Sequence, residues 1–434
     1  LKKHLLHIAV FMLIFFSFSC KKEKKDKTSP LVAITNPLSG AAFQMFDTLD
    51  VSAHVSDETQ ISSIVVALTD INNTVLQYSY SVPVQSNDFT FNIKYYLTEY
   101  HLPSGFYYMS VTVSDGSNFT QRTVKIHITE SPTVKTGYFW VGSLLPKQII
   151  KANTGMVQQN SITLSTGFNG MAFGPYYQQL FINGNLYQPF IGYDAVMNGT
   201  SWSIPYSSGG IPNFMCVATD GQKAFIGYYS GDLGAMTYTG GTSTSYPNGN
   251  SNYYPFYFTL TSNYGIGIYK DKQGGSDKLM SFGRTTGTPQ NNTFMPIKVS
   301  HVFERTTTEL FILGNNGSNQ AVFYLYTVNT NALVGPFSLP AGKLLSAAWV
   351  DSDYLLLAMD NGIIYGYRYS NSNATVLANV KAQKITYDTG LRELNAAVNN
   401  GMYSYSLSTN YVLTATGFAT VSDSIIGFEV ITNK

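Results

Sequence analysis

Beyond residue 136 the chain carries a single histidine, His301, and a single cysteine, Cys216. A transition-metal site built from imidazole and thiolate donors needs three or four ligands, so this pair is too few and no metal is expected. A nucleophilic triad would have to centre on His301, and no Gly-x-Ser-x-Gly elbow accompanies it. Cys216 lies in the apolar run Phe214-Met215-Cys216-Val217-Ala218, where a small buried thiol is expected rather than a nucleophile. Gly-rich Ser207-Ser208-Gly209-Gly210 is not followed by Lys-Thr, so no phosphate cradle and no cofactor are indicated.

Carboxylates come next, because paired acids hydrolyse glycosidic bonds. Asp220, Glu304, Asp351 and Asp388 each follow a recurrent apolar strand at an equivalent turn, which marks them as folding features. Asp351-Ser352-Asp353 offers oxygen ligands for calcium, yet an Asp pair in a turn is expected to bind backbone N–H groups instead. Asp423 stands on the other side of its strand, alone. No residue is therefore assigned a catalytic role. What remains is aromatic and amide-rich: Ser201-Trp202-Ser203-Ile204-Pro205-Tyr206, then residues 246–254 ending in Tyr253-Tyr254, and Arg284, all expected in segments that join successive repeats. Flat rings beside Asn and Tyr polar groups suit neutral, hydroxyl-rich ligands, because apolar sugar faces stack while hydroxyls pair with amides. Trp202, Tyr206, Tyr253, Tyr254 and Arg284 are thus the candidate ligand-binding residues, although Tyr and Asn also serve simply as strand and turn residues.

The elements that must position these groups are strands. Of the 434 residues, 44% are hydrophobic and only 12% charged, with 32 Tyr, 27 Phe and 37 Gly. That is an all-β composition. The 26 Lys plus Arg nearly balance the 25 Asp plus Glu, and a net charge of +1 gives no electrostatic footprint for nucleic acid. From Gly137 onward, short apolar strands beginning at Phe139, Phe181, Phe225, Ile266, Phe311, Leu356 and Ala396 recur at intervals of 40 to 45 residues. Gly-centred turns keep step with them, as in Ser230-Gly231-Asp232, Asp360-Asn361-Gly362 and Asn399-Asn400-Gly401, and each turn leads into another aromatic-rich strand. A four-stranded unit of this length resembles a propeller blade. The first unit lacks its innermost strand, whereas residues 424–430 form an innermost strand with nothing after it. The expectation is a seven-bladed β-propeller over 137–434, closed by its C-terminal strand. It lacks the signatures of WD, kelch and sialidase repeats.

Residues 31–130 read differently. Met109, Val111 and Val113 alternate with Ser110, Thr112 and Ser114, and Val124, Ile126 and Ile128 alternate with Lys125 and His127. Asp115-Gly116-Ser117-Asn118 between them supplies a hairpin turn. The opening Val32-Ala33-Ile34-Thr35-Asn36-Pro37 and closing Val111-Thr112-Val113-Ser114-Asp115-Gly116 resemble bacterial immunoglobulin-like modules, which implies a β-sandwich of about seven strands. Residues 131–136 are the linker.

The N-terminus has the grammar of an export signal: Lys2 and Lys3, an apolar run over 5–16, then Ser19 before Cys20. Ser17-Phe18-Ser19-Cys20 resembles the lipobox of bacterial lipoproteins, with Ser17 where the family usually has Leu. The resemblance implies a signal peptide over 1–20, acylation of Cys20, and a lipid anchor in a Gram-negative outer membrane, on its periplasmic side or at the cell surface. Residues 21–30, Lys-rich and without apolar side chains before Pro30, read as a disordered tether. The expected function is non-enzymatic binding of a glycan or protein ligand through the propeller, with the membrane and that ligand as partners. The alternative is a carbohydrate-active hydrolase or lyase on the same scaffold.

Overall fold

Alternating and continuous apolar runs both become strands here, and which pattern a segment carries decides whether one or both of its faces are covered. A computed structural model describes residues 28–164, 167–184, 188–206, 213–247 and 251–434, and the described residues contain strands but no helix. The export signal, Cys20 and the tether up to Lys27 lie outside the described residues. The chain divides between Pro132 and Thr133 into two units, each with its own core.

The first unit has two sheets. One is antiparallel and three-stranded, in the order Leu31–Asn36, Thr48–Ser56, Asp88–Tyr96. The other has five strands, in the order Ala42–Gln44, Phe119–Thr129, Gly105–Ser114, Ser63–Thr69, Val75–Val82. Val51, Ala53 and Val55 from the first sheet share one core with Ile64, Val66, Val111 and Val113 from the second. The Asp115 turn forms as its composition predicts: Asp115 Oδ1 accepts from the backbone N–H of Ser117 and Asn118, and Gly116 adopts φ +99°. Two strands carry no period that sequence reading could catch. Ala42–Gln44 is only three residues long, and Val75–Val82 is an edge strand with most side chains in solvent.

The second unit is propeller-like. Its described residues form seven four-stranded antiparallel sheets, six of them from consecutive chain, such as Leu344–Asp351, Tyr354–Met359, Ile364–Arg368 and Asn373–Ala378. Second strands are covered on both faces and read as near-continuous apolar runs; every residue of Tyr354–Met359 is buried. Fourth strands are the outer edges, and Asn373–Ala378 is mostly exposed. The recurring Gly turns join second to third strands, with Gly231, Gly274 and Gly362 all at positive φ. The remaining sheet is composite: Ile425–Thr432 pairs antiparallel with Lys135–Gly142, placing Phe428 opposite Trp140 and Val430 opposite Tyr138. Phe428 and Phe139 are wholly buried there, and burying each such side chain is worth roughly 1.5–3 kcal/mol. First strands of neighbouring sheets touch one another, so they form the innermost wall.

Candidate functional site

That wall borders an open cavity of about 720 Å³, within the range of small-ligand sites. Five first strands supply it. Tyr257 comes from Tyr253–Leu260, His301 and Phe303 from Lys298–Glu304, Ser346 and Trp349 from Leu344–Asp351, Lys384 and Thr386 from Lys384–Asp388, and Ile426 from the composite sheet. Alternation holds in Lys298–Glu304, where His301 and Phe303 line the cavity and Val302 between them is buried in its sheet, whereas Leu345 to Trp349 and Gln383 to Tyr387 line it as continuous runs. Gln383 lies before its strand and Thr389 after it, so the cavity runs the length of the innermost layer.

Its charged groups are already engaged. Lys384 Nζ donates to the Phe428 carbonyl at 2.8 Å and pairs with Glu429 at 3.2 Å. His301 Nε2 lies 3.3 Å from the Ala347 backbone N–H and accepts from it, its Nδ1 is 3.0 Å from Ser300 Oγ, and its ring stacks on Phe303. Burial, reinforced by the Lys384 charge, pushes the His301 imidazole down to about 4, so it is neutral at pH 7. Burial likewise raises Tyr257 and Tyr387 above the usual phenol range, which keeps both hydroxyls protonated. No Asp or Glu is among the described lining residues.

The five residues singled out from sequence do not converge. Tyr253 and Tyr254 open a first strand beside the turn between the second and third strands of the same sheet. There Tyr254 stacks on Tyr229 at 5.4 Å, Lys272 lies over Tyr229 at 4.3 Å, and Lys278 lies over Tyr253 at 5.5 Å. Tyr206 follows its fourth strand in a sheet-joining segment and is 43% exposed. Residues 207–212 and 248–250 of these loops lie outside the described residues.

Two placements need correcting. Trp202 is not in a loop: it sits within the outer strand Gly199–Ile204, stacked on Phe190, with Nε1 donating to the Tyr238 carbonyl at 2.7 Å. Its ring fills the space over Gly240, where φ is +83° and a Cβ would come within 2.9 Å of the indole. Trp202 is a packing residue between sheets. Arg284 is not in a sheet-joining segment either, because it lies in the turn between the third and fourth strands, Lys278–Gly283 and Pro289–Phe294. In an antiparallel meander that turn lies at the opposite end from the sheet-joining segments. Arg284 Nη1 there donates to the Thr261 carbonyl at 2.7 Å, and its own carbonyl accepts from Tyr246 Oη at 2.6 Å.

The acids behave as turn residues. Asp220 Oδ1 accepts from the backbone N–H groups of Gln222 and Lys223, Asp388 from Leu391, and Asp351 from Asp353. Glu304 accepts from Ser262 N–H at 2.7 Å, and Asp351 also takes the Tyr411 hydroxyl at 2.7 Å. Asp423 accepts from Ser143, Leu144 and Ser424; desolvation opposes ionisation, but these bonds outweigh it and hold the carboxyl below its ordinary value. Cys216 is a buried free thiol pushed up to about 12 by desolvation, hence un-ionised and unreactive. No cluster of three or more metal-ligating side chains occurs among the described residues.

Sequence reading missed the cavity residues because it looked to the loops beyond the innermost strands. The usable signal was confined to Lys298–Glu304, where alternation separates His301 and Phe303 from the buried Val302.

No family model matches the chain, and no curated protein matches its sequence. Among solved structures it is similar to a quinonprotein alcohol dehydrogenase-like protein from Bacteroides thetaiotaomicron, with 10% identity over 93% of this chain and 99% of that one, at a TM-score of 0.47. A second likeness is to a chain of a mitotic checkpoint complex, with 11% identity over 59% of this chain and 78% of that one, also at 0.47. Neither likeness bears on what this chain binds.

Proposed function

We propose that the chain is a lipoprotein anchored through Cys20 to an outer membrane, in which an immunoglobulin-like sandwich spaces a closed seven-bladed propeller off the lipid. In this reading the propeller binds a glycan without transforming it, and a protein ligand is the second choice. The observation that carries the reading is the character of the innermost cavity. It combines the rings of Tyr257, Phe303, Trp349 and Tyr387 with hydroxyl and amide groups, and its lining includes no carboxylate among the described residues. General acid chemistry on a glycosidic bond needs two carboxyl groups flanking the reacting atom. Here Asp220, Asp351 and Asp388 are held in backbone turns at the strand ends, which favours binding over hydrolysis.

Two experiments test the reading. A glycan array probed with the chain lacking residues 1–20 should give retained hits that are recovered unchanged after long incubation; release of reducing ends from a hit would favour the hydrolase reading instead. Palmitate labelling in a Gram-negative host should mark the full chain and vanish in Cys20→Ser. Labelling that survives this change removes the proposed anchor.

A further inference from the structure

Two polar atoms in the cavity wall are without partners among the described residues. Trp349 Nε1 and Thr386 Oγ1 belong to residues that line the cavity, but the atoms themselves are enclosed within the wall, so a guest reaches them only when these side chains turn. They lie on adjacent first strands, Leu344–Asp351 and Lys384–Asp388, which are joined by the Ile385 N–H bond to Ser346 Oγ at 3.1 Å. The other unpartnered side-chain atoms of this unit, on Trp140, Gln179, Tyr269, Asp277, Arg305 and Asn395, belong to residues outside the lining. A buried donor left without an acceptor destabilises the free protein, and a guest that supplies the acceptor removes that cost.

Charge narrows the guest. Lys384 is matched by Glu429, and His301 is engaged on both ring nitrogens. An anionic guest would have to displace Glu429 from Lys384, whereas a cationic one would find no carboxylate among the described lining residues and only Glu429, already paired, behind them. We infer that the cavity takes the neutral pyranose end of a glycan, whose ring and hydroxyl oxygens accept hydrogen bonds from Trp349 Nε1–H and Thr386 Oγ1–H once those side chains turn toward it. This rests on the glycan reading above. The volume admits one or two sugar rings, and the Trp349, Tyr387 and Phe303 rings offer apolar surface to the sugar's C–H faces.

The test uses the chain with Cys20→Ser and without residues 1–19. Neutral glucose-, galactose- and mannose-based disaccharides are compared with glucuronate- and glucosamine-terminated counterparts by array and calorimetry. Trp349→Phe keeps an aromatic face and deletes the donor together with part of the ring volume; Thr386→Val keeps the shape and deletes the hydroxyl. Each should weaken binding of the best neutral sugar by about tenfold, while the melting temperature of unliganded Thr386→Val stays the same or rises. A purely structural role would leave affinity intact in both variants and lower the melting of Thr386→Val. Neutral sugars bound equally well by wild type and both variants would place the glycan elsewhere, sinking this inference but not the glycan reading. Preference for charged sugars sinks the neutral claim alone, and a wild-type chain that binds none of the glycans sinks both.

Discussion

The innermost wall and the turns that terminate it use polar residues in opposite ways. In the turns, Asp220, Asp351 and Asp388 accept from backbone N–H groups within three residues of themselves, and Glu304 reaches across to the neighbouring sheet's turn at Ser262. In the wall, Trp349 and Thr386 hold donors that meet no acceptor among the described residues. The difference teaches where to look for function. Repeated polar residues whose capacity is filled locally are part of how the chain folds, whereas unrepeated ones with capacity left over are available to a guest.

Substitutions can break or sharpen that contrast. The largest effect is expected on the sheet-facing side of the wall: Phe428→Ala removes a wholly buried ring from the composite sheet and should cost about 3–5 kcal/mol in urea denaturation. Acid comes next. The folded protein holds His301 near 4, below its unfolded value of about 6.5, so the unfolded chain takes up the proton first. Stability is fully present above that unfolded value and falls as pH drops from there toward 4, by up to about 3 kcal/mol. His301→Gln should flatten this part of the stability profile; an unchanged slope would show that another group is responsible.

Asp220→Ala deletes an acceptor for two turn N–H groups and should lower stability by about 1 kcal/mol without altering sugar affinity. Thr386→Val should have the smallest effect on folding, between zero and a slight gain, because it removes an unpartnered group. If Asp220→Ala proved neutral while Thr386→Val lost stability, the contrast between turn and wall would be reversed.

Much of the repeat was legible in sequence for a specific reason. Second strands are covered on both faces and so read as solid apolar runs, and their Gly turns need positive φ, as at Gly231 and Gly362. The pairing of Ile425–Thr432 with Lys135–Gly142 followed from counting strands. Trp202 was misplaced because an exposed outer strand such as Gly199–Ile204 alternates Ser and Thr with larger residues and looks like a loop. Arg284 was misplaced because Gly283-Arg284-Thr285-Thr286-Gly287 has the same grammar as a turn at either end of a sheet. A miscount of one strand moves it to the opposite face. Most of the cavity was illegible, since its lining takes consecutive residues from Leu345 to Trp349 and from Gln383 to Tyr387, and no period marks the guest's side in strands of five to eight residues.

The composite sheet also has a temporal meaning. Thr136 bonds to the Ile431 carbonyl across 295 residues of chain, so no amount of early folding can supply Lys135–Gly142 with its inner neighbour before Ile425–Thr432 has been synthesised. Until that moment the growing polypeptide presents an open β-edge next to Phe139 and Trp140. The composite sheet is therefore completed late, whatever the six sheets of consecutive chain have done before it.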